Sequence, residues 1–494
     1  IQKYNQIINN IRDGRSKHLI HLKDMIVNVN KKEIEMTNQT SNLVKNTLEL
    51  FSANWVCNIN KPSYVKMGFN TVELQRGFNL LTLKKHQLSH VCAFDTCIED
   101  FSIDIQKYTK KIYDSKEHDY LILITHDDAV NKLNTNVLQN YLIFLDCKKL
   151  NTLGFRASYC LIYDLKNKKS IYELCDNQFP IHEWFELSKN NNDSNYKLEN
   201  LGIPVYLIVY NLPYFVKNSV EQLRKYTKNI HIIDNKSTYP KLLEYYDNEY
   251  EFFLHRMEAN YGHLVWMRQM YWQFPKIFAM SDPDLQFNKN LPPNFLEIMR
   301  DLSFEHKKGK VGFALDLSDA ELFFKEKTYT DGVSIEEWEK RFWLRKINHP
   351  IYDLYNAGVD TTFCVVNKSF PETGNAIRMG GNFTCKHIPW YEGWQKKLDK
   401  DEWEFYKNKN ISSSTVRMIM RTYNDKHKQG LQFYNDINAI INNANELYEK
   451  VKKIDNFAKD DIDGINVNIN NCINSLELSK DIISNIIQKN AFES

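Results

Sequence analysis

Two carboxylates stand two residues apart at the end of an apolar run, in the segment FAMSDPDL at residues 278–285. Asp282 and Asp284 flank Pro283, whose ring stiffens the turn between them. The apolar run predicts a strand, and ligands of open α/β sheets bind at the carboxyl ends of the strands. Paired carboxylates at that edge suit a hard divalent cation that keeps open positions for phosphate oxygens. The competing interpretation is an ordinary Asp-rich turn, since this tripeptide often arises by chance.

A predicted strand, helix and second strand precede this motif in the chain. Residues 205–211 are typical of a buried strand that opens into a loop, and residues 216–226 are typical of a helix. Residues 230–238 predict the second strand, which ends in Asp234 and Asn235. A unit of this kind forms half of a nucleotide-binding sheet. The Asp234 carboxylate would accept from a base N–H, and the polar residues after it would meet the ribose or cap the next helix.

Eight segments resemble, in order and spacing, the GT-A-fold family 2 glycosyltransferases. They are residues 204–211 (PVYLIVYN), 232–240 (IIDNKSTYP), 260–263 (NYGH), 281–285 (SDPDL), 311–315 (VGFAL), 337–343 (EWEKRFW), 358–363 (GVDTTF) and 384–391 (TCKHIPWY). Each segment alone is a weak signal, whereas all eight in the right order are a strong one. The resemblance implies a Rossmann-like mixed sheet and transfer of a sugar from a nucleotide-activated donor to an acceptor hydroxyl.

The same resemblance implies roles for particular residues. Those implied to bind the nucleotide sugar are Tyr210, Asn211, Asp234, Asn235, Gly262, His263 and Asp282. Asp282 and Asp284 would hold Mn²⁺ or Mg²⁺ against the diphosphate, and His387 would complete the metal shell. Imidazole is a better partner for Mn²⁺ than for Mg²⁺. The alternative for His387 is a half-buried histidine that donates to a backbone carbonyl.

An inverting transferase also needs a carboxylate that takes the proton of the acceptor hydroxyl. Asp360 lies downstream of the metal motif, directly before Thr361-Thr362-Phe363, and is our first choice for this general base. Other carboxylates in the same part of the chain compete with it. These competitors are Asp316, Asp319, Glu321 and Glu392.

A different pattern occupies residues 55–176, where short apolar runs alternate with helical spacing. The predicted strands are residues 78–83, 120–125 and 157–163, and the predicted helices are residues 103–112 and 137–144. Four segments of this region resemble the ILEI/PANDER domain, which also forms the non-catalytic, glycan-binding stem of the O-mannose N-acetylglucosaminyltransferase. These segments are 76–83 (RGFNLLTL), 93–96 (AFDT), 121–129 (LILITHDDA) and 153–159 (LGFRASY).

The two ends of the chain show helical periodicity. Residues 1–52 carry an apolar stripe every seven residues and predict a helical stalk. That stalk would be either a coiled coil that makes a homo-oligomer or a helix that packs on its own chain. Residues 413–494 predict amphipathic helices, and the polar residues of 177–200 predict a linker.

The composition sets outer limits on the function. The chain has 494 residues with 43% hydrophobic and 26% charged, which excludes a mainly disordered protein. Lysine plus arginine (64) nearly balances aspartate plus glutamate (62), so no global charge attracts nucleic acid. Because the chain begins at Ile1, we expect a fragment or a processed product. The compartment therefore stays open between a secretory or Golgi-like lumen and a virion or host cytoplasm.

Together these observations predict a multidomain α/β protein with an ILEI-like β/α domain (55–176), a GT-A domain (201–412) and helical ends. The predicted activity is metal-dependent hexosyl or N-acetylhexosaminyl transfer, most simply from a UDP-sugar to a glycan or glycoprotein. We expect inversion, and retention stays open. The alternative is a glycan-binding protein with a silent GT-A domain. A nucleotidyltransferase is disfavoured because residues 210–214 (YNLPY) lack a Gly-rich phosphate loop.

Overall fold

The computed structural model describes residues 42–54, 62–115, 117–189, 196–248, 251–324, 333–372 and 374–409. They divide into two compact units. The first contains the described residues of 42–322 and 339–398, and the second those of 323–338 and 399–409. Among the described residues, no helix is long and apolar enough to cross a bilayer.

The helices of the described residues are short, and most lie between strands. In chain order they are α1 (Asn42–Lys45), α2 (Ser102–Ser115), α3 (Thr135–Tyr141), α4 (Pro213–Leu223), α5 (Pro240–Asn248), α6 (Phe295–Glu305), α7 (Ile335–Lys340) and α8 (Lys400–Lys409).

The first ten strands form two antiparallel sheets. Their orders are β10-β9-β1-β2-β3 and β5-β4-β6-β7-β8. The strands are β1 (Thr47–Ser52), β2 (Tyr64–Met67), β3 (Asn70–Glu73), β4 (Gly77–Lys84), β5 (Gln87–Phe94), β6 (Tyr120–His126), β7 (Ser158–Asp164), β8 (Lys169–Asp176), β9 (Ile181–Lys189) and β10 (Tyr196–Asn200).

The central strands β4, β6 and β7 are buried on both faces. Leu80 and Leu123 pack in one core with residues of α2 and α3, whereas Leu81 and Ile122 pack in another with strands β1 and β2. Neighbouring residues therefore point into different cores, which explains why these strands read as continuous apolar runs. The strands and helices predicted within residues 55–176 are confirmed here. The ILEI-like assignment itself stays a prediction.

Two predicted boundaries need correction. Residues 47–52, expected at the end of the helical stalk, form β1 because their side chains pack in the core between the two sheets. The predicted linker at residues 177–200 contains β9 and β10. Strand β10 carries many polar residues because it is the edge strand, which can present one face to solvent. Residues 1–41 and 410–494, with most of the predicted stalk and terminal helices, lie outside the described residues.

Gly77 starts β4 in a conformation that only glycine adopts easily, with a φ of +95°. A Cβ at this position would lie 2.0 Å from the carbonyl oxygen of Phe94. We therefore expect Gly77→Ala to destabilise the first unit by at least about 2 kcal/mol, measured by chemical denaturation. Gly202→Ala is the control, since Gly202 also has a positive φ but no atom within 4 Å of its Cβ. Equal losses in the two variants would contradict the steric explanation.

The remaining strands form one mixed parallel and antiparallel sheet, as the sequence predicts. Its order is β13-β12-β11-β14-β19-β16-β20-β18-β17, and β15 pairs with β20. The strands are β11 (Val205–Val209), β12 (Ile230–Asp234), β13 (Phe253–Arg256), β14 (Ile277–Ser281), β15 (Leu285–Phe287), β16 (Lys310–Leu315), β17 (Lys346–Ile347), β18 (Leu354–Tyr355), β19 (Cys364–Asn367) and β20 (Ala376–His387).

His182 of the first sheet contacts both Glu49 in the same sheet and the segment before β14. His182 on β9 places Nε2 2.8 Å from Glu49 Oε1 and Nδ1 2.9 Å from the carbonyl oxygen of Gln273. Each ring nitrogen of His182 thus has its own hydrogen-bond partner. Burial raises the pKa of Glu49, but the hydrogen bond and charge of His182 outweigh it and hold this pKa well below its ordinary value.

Candidate active site

Parallel pairing brings the ends of β12, β11 and β14 to one edge of the mixed sheet. Strand β11 lies between the other two, with Val209 opposite Asp234 and Leu207 opposite Ser281. Asp282 follows directly after β14. The carboxyl ends of the three strands therefore face the same side, which is the usual ligand-binding edge of such a sheet.

Asp282 lies beside the segment that carries Asp360. Strands β14 and β19 pair antiparallel, and the backbone N–H of Asp282 donates to the carbonyl oxygen of Thr361 at 2.9 Å. The Thr361 hydroxyl donates to the Asp282 carboxylate. Burial, and then the charges of Asp284 and Asp360, raise the pKa of Asp282 well above its ordinary value. Asp284 and Asp360 thus both lie close enough to Asp282 to disfavour its charged form.

Asp284 lies beside His387 through a second strand pairing. Leu285 on β15 pairs with His387 on β20, and the Ile388 N–H donates to the Asp284 carbonyl oxygen at 2.9 Å. The His387 Nε2 and Asp284 Oδ2 atoms are 3.5 Å apart, beyond an ordinary hydrogen bond. Two ligand atoms of one octahedral cation lie at a similar separation, roughly 3 Å.

Two buried atoms of this pair have no hydrogen-bond partner, namely Asp284 Oδ1 and His387 Nδ1. Buried polar atoms without partners are rare in folded proteins and require an explanation. Burial lowers the pKa of His387, although the Asp284 charge partly opposes this. The ring is therefore held toward its neutral form, which is the form that ligates metals. The Asp284 carboxylate and the neutral His387 imidazole are therefore suitable ligands for a divalent cation.

Asp360 is exposed, in contrast to the other two carboxylates. Within the described residues, no hydrogen bond or ion pair engages its carboxylate. A competing carboxylate, Asp319, is bound by Lys386 and by the Tyr391 hydroxyl at 2.8 Å. Burial alone would raise the pKa of Asp319, but these partners outweigh it and lower the pKa. Asp360 is thus the better placed of the two to accept a proton.

The predicted nucleotide-binding residues at the end of β12 are bound to one another. The Asp234 carboxylate is fully buried and accepts from the Ser237 N–H at 3.2 Å and from Arg256 Nε at 3.3 Å. Burial raises the pKa of Asp234, opposed by Ser237 and Arg256. Asn235 holds the neighbouring loop, since its Nδ2 donates to the Gly262 carbonyl oxygen at 3.1 Å. The buried Asp234 carboxylate therefore stabilises this edge of the sheet through its bonds to Ser237 and Arg256.

The loop after β11 is strained. Asn211 and Leu212 have φ angles of +49° and +151°, values that are uncommon outside glycine. The Asn211 side chain stabilises this loop, because its Oδ1 accepts from the N–H groups of Thr238 (2.8 Å) and Tyr239 (3.0 Å). Its Nδ2 is buried and has no hydrogen-bond partner. Strain of this kind is common in ligand-binding loops.

The other predicted residues of this edge are more open. Tyr210 is half-buried at the end of β11, and Gly262 and His263 are exposed in the loop held by Asn235. Gly262 has a φ of +71°, which glycine adopts without strain. The structure thus places Asp284 beside His387 and Asp282 beside the segment that carries Asp360, and it groups the residues of the β11 and β12 ends separately.

Sequence reasoning did not identify Arg256 and Thr361 as residues of this site. Arg256 neutralises Asp234, and Thr361 binds Asp282. Thr361 stands next to the predicted base, so its position gave a signal. Arg256 gave none, because its partner Asp234 lies on another strand.

A second group of possible metal ligands, formed by Glu305, His306 and His349, lies elsewhere in the first unit. Within the described residues it is the group of three whose ligand atoms all lie within 4.8 Å of one another, whereas those of Asp282, Asp284 and His387 do not. The His349 Nδ1 accepts from the N–H groups of Ile351 (3.2 Å) and Tyr352 (3.0 Å). A neutral imidazole that accepts at Nδ1 carries its proton on Nε2, the atom 3.5 Å from Glu305. In that tautomer the Nε2 lone pair is occupied by the proton and is not free for a cation. This arrangement disfavours a cation at the second group.

No family model matches the chain. Two curated proteins of Acanthamoeba polyphaga mimivirus match in part. "Uncharacterized protein L138" is 33% identical over 98 residues, covering 20% of this chain and 11% of that protein. "Uncharacterized protein L137" is 30% identical over 146 residues, covering 27% and 20%. The chain thus spans at most a fifth of either relative.

Solved structures of the S. aureus protein TarS also match in part. TarS 1–349 has a TM-score of 0.22 at 15% identity, covering 34% of this chain and 47% of that one. TarS 1–349 in complex with UDP-GlcNAc has a TM-score of 0.18 at 18% identity, covering 23% and 34%. Because these likenesses are partial, the functional proposal depends on the geometry of the site.

Proposed function

We propose that this chain is a metal-dependent glycosyltransferase that moves a sugar from a nucleotide-sugar donor to an acceptor hydroxyl. The observation that carries the proposal is the cluster of Asp284 and His387, near the strand edge where Asp282 follows β14, with one buried polar atom on each of the two side chains left without a hydrogen-bond partner. The exposed Asp360 beside this cluster supplies the other group that the reaction needs.

In this proposal Asp282, Asp284 and His387 hold the cation, and the mixed oxygen and nitrogen donors favour Mn²⁺ over Mg²⁺. When bound, the cation stabilises the charge that develops on the diphosphate leaving group. Its charge would also offset the repulsion of Asp282 by Asp284 and Asp360, which adds to burial in raising the pKa of Asp282. The donor diphosphate therefore lies next to Asp282 and Asp284.

The nucleotide occupies the edge formed by the ends of β11 and β12. Asn211 offers an unused donor there, and Tyr210 and His263 have exposed surface that can contact the base or ribose. Asp234 keeps the edge in shape through Ser237 and Arg256. We propose a UDP-sugar, either a hexosyl or an N-acetylhexosaminyl donor, with a carbohydrate or glycoprotein as acceptor.

Asp360 acts as the general base. Its carboxylate takes the proton of the acceptor hydroxyl while the hydroxyl oxygen bonds to the anomeric carbon. The bond from that carbon to the diphosphate oxygen breaks at the same time, and the nucleoside diphosphate leaves. This single displacement inverts the anomeric configuration.

A donor-hydrolysis assay tests the function. The full chain is incubated with a panel of UDP- and GDP-sugars in Mn²⁺, in Mg²⁺ and in excess chelator. We expect release of one nucleoside diphosphate with Mn²⁺ and none with chelator, and the freed sugar should have the opposite anomeric configuration. Retained configuration would contradict the single displacement. Absence of both turnover and nucleotide binding would contradict the enzyme and favour the glycan-binding alternative.

A further inference from the structure

Arg378 is a buried charge in an otherwise apolar part of β20. Its residue exposure is 4%. Its Nε donates to the carbonyl oxygen of Gly358 at 2.7 Å, and its NH1 group donates to the Glu339 carboxylate. The ring of Phe342 lies 4.0 Å from the guanidinium carbon. Arg378 thus connects β20 to two other parts of the chain, the loop at Gly358 and the segment of residues 339–342.

One of those parts is the loop that carries Asp360. Besides the bond from Arg378 to Gly358, Lys310 Nζ donates to the Val359 carbonyl oxygen at 3.4 Å. The Val359 side chain packs against Gly312 so closely that a Cβ there would lie 2.7 Å from it. On the other side of Asp360, Thr361 is bound to Asp282. The exposed Asp360 therefore stands between two fixed points.

Burying the Glu339–Arg378 pair costs free energy when the protein folds. Both side chains are almost fully buried, at 2% and 5% exposure, and two buried charges lose their hydration. Burial raises the pKa of Glu339 to about 7, even though the Arg378 charge and hydrogen bond act in the opposite direction. An apolar pair of similar volume would stabilise such a site as well or better. Stability alone therefore gives a weak reason for this pair.

We propose that Glu339 and Arg378 are positioning residues, which hold the loop at Gly358 so that the Asp360 carboxylate faces the acceptor hydroxyl. This inference rests on the proposed function and adds a connection between Asp360 and a charge pair outside the donor site. Glu339 fixes the guanidinium plane, and the plane aims Nε at the Gly358 carbonyl. An error of about 1 Å in the position of a reacting group can cost roughly 10²-fold in rate.

Two conservative substitutions test the proposal in the full chain. Arg378→Lys keeps the charge but replaces the planar guanidinium, whose Nε and NH1 donors point in fixed directions, by a single ammonium, and Glu339→Gln keeps the shape but removes the charge. We expect kcat for hydrolysis of the UDP- or GDP-sugar used by the wild-type chain to fall about 10- to 100-fold in each. The dissociation constants for that sugar and for Mn²⁺ should stay within about twofold, because neither residue contacts the donor site.

Glu49→Gln is the matched control. It removes a carboxylate that is hydrogen-bonded to a buried basic side chain, His182, far along the chain from the site. We expect it to lower the thermal midpoint as the two test variants do and to leave kcat unchanged. Phe342→Leu provides a second test that leaves both charges in place, and it should lower kcat by a few-fold through a looser guanidinium.

The outcomes separate this inference from the function it rests on. A wild-type chain that hydrolyses no sugar of the panel overturns the function, and the positioning role falls with it. An active wild-type chain with unchanged kcat in Arg378→Lys and Glu339→Gln overturns the positioning role alone. If Arg378→Lys does not fold, Glu339→Gln and Phe342→Leu decide, and full activity in both overturns the proposal.

Discussion

Asp284→Ala should abolish Mn²⁺-dependent turnover, with a loss of at least about 10³-fold in kcat/KM. Asp284 provides the Oδ1 atom that has no protein partner and the Oδ2 atom nearest to His387. Without Asp284, only Asp282 and His387 remain of the three proposed metal ligands. The measurement is nucleoside diphosphate release as a function of Mn²⁺ concentration.

The fold should survive this substitution. Asp284 is one of the charges that raise the pKa of Asp282, so its removal relieves repulsion in the metal-free protein. We expect an unchanged or slightly higher thermal midpoint without metal. Added Mn²⁺ should raise the midpoint of the wild-type chain and not that of the variant. Asp301→Ala, which removes an exposed carboxylate of α6, is the control and should keep full activity. Undiminished activity in Asp284→Ala would contradict the assigned site.

Asp360→Asn should lower turnover by about 10²- to 10⁴-fold, the usual contribution of a general base. The amide is nearly isosteric with the carboxylate but cannot take the acceptor's proton. Because Asp360 is not among the proposed metal ligands, binding of the nucleotide sugar and Mn²⁺ should persist. Isothermal titration with the donor and initial-rate kinetics together separate loss of the base from loss of binding.

Asp316→Asn serves as the comparison for the base. Asp316 follows β16, and its Oδ1 atom accepts from the Ser318 N–H at 2.9 Å, so its carboxylate already has a local structural partner. We expect only a small effect on turnover. A large loss in Asp316→Asn together with an active Asp360→Asn would show that the base is assigned to the wrong carboxylate.

The sequence predicted the parts of the site that depend on local patterns. Asp282 and Asp284 could be placed at a sheet edge because an apolar run directly precedes them, and the structure has β14 there. The order of β11, α4 and β12 was equally readable from periodicity. His387 came only from the family resemblance, since a lone histidine after a mixed segment has no distinctive pattern.

The features that sequence reasoning missed depend on partners distant in the chain. Arg378 and Glu339 are 39 residues apart (378 − 339), and only the folded sheet brings them together. Asp234 was expected to face a nucleotide base, yet its carboxylate is buried against Ser237 and Arg256, because β13 places Arg256 opposite it. Strand β10 was predicted to be part of a linker for another reason, because an edge strand tolerates the polar residues that are also typical of linkers.

The most direct test of the central claim is the location of the cation. Crystals of the full chain grown with Mn²⁺ and a UDP-sugar would give an anomalous scattering peak for manganese. The proposal predicts one peak within about 2.3 Å of a carboxylate oxygen of Asp284 and a ring nitrogen of His387, in contact with the diphosphate. A bound UDP-sugar with manganese absent from Asp282, Asp284 and His387, or with the peak at Glu305, His306 and His349, would contradict it.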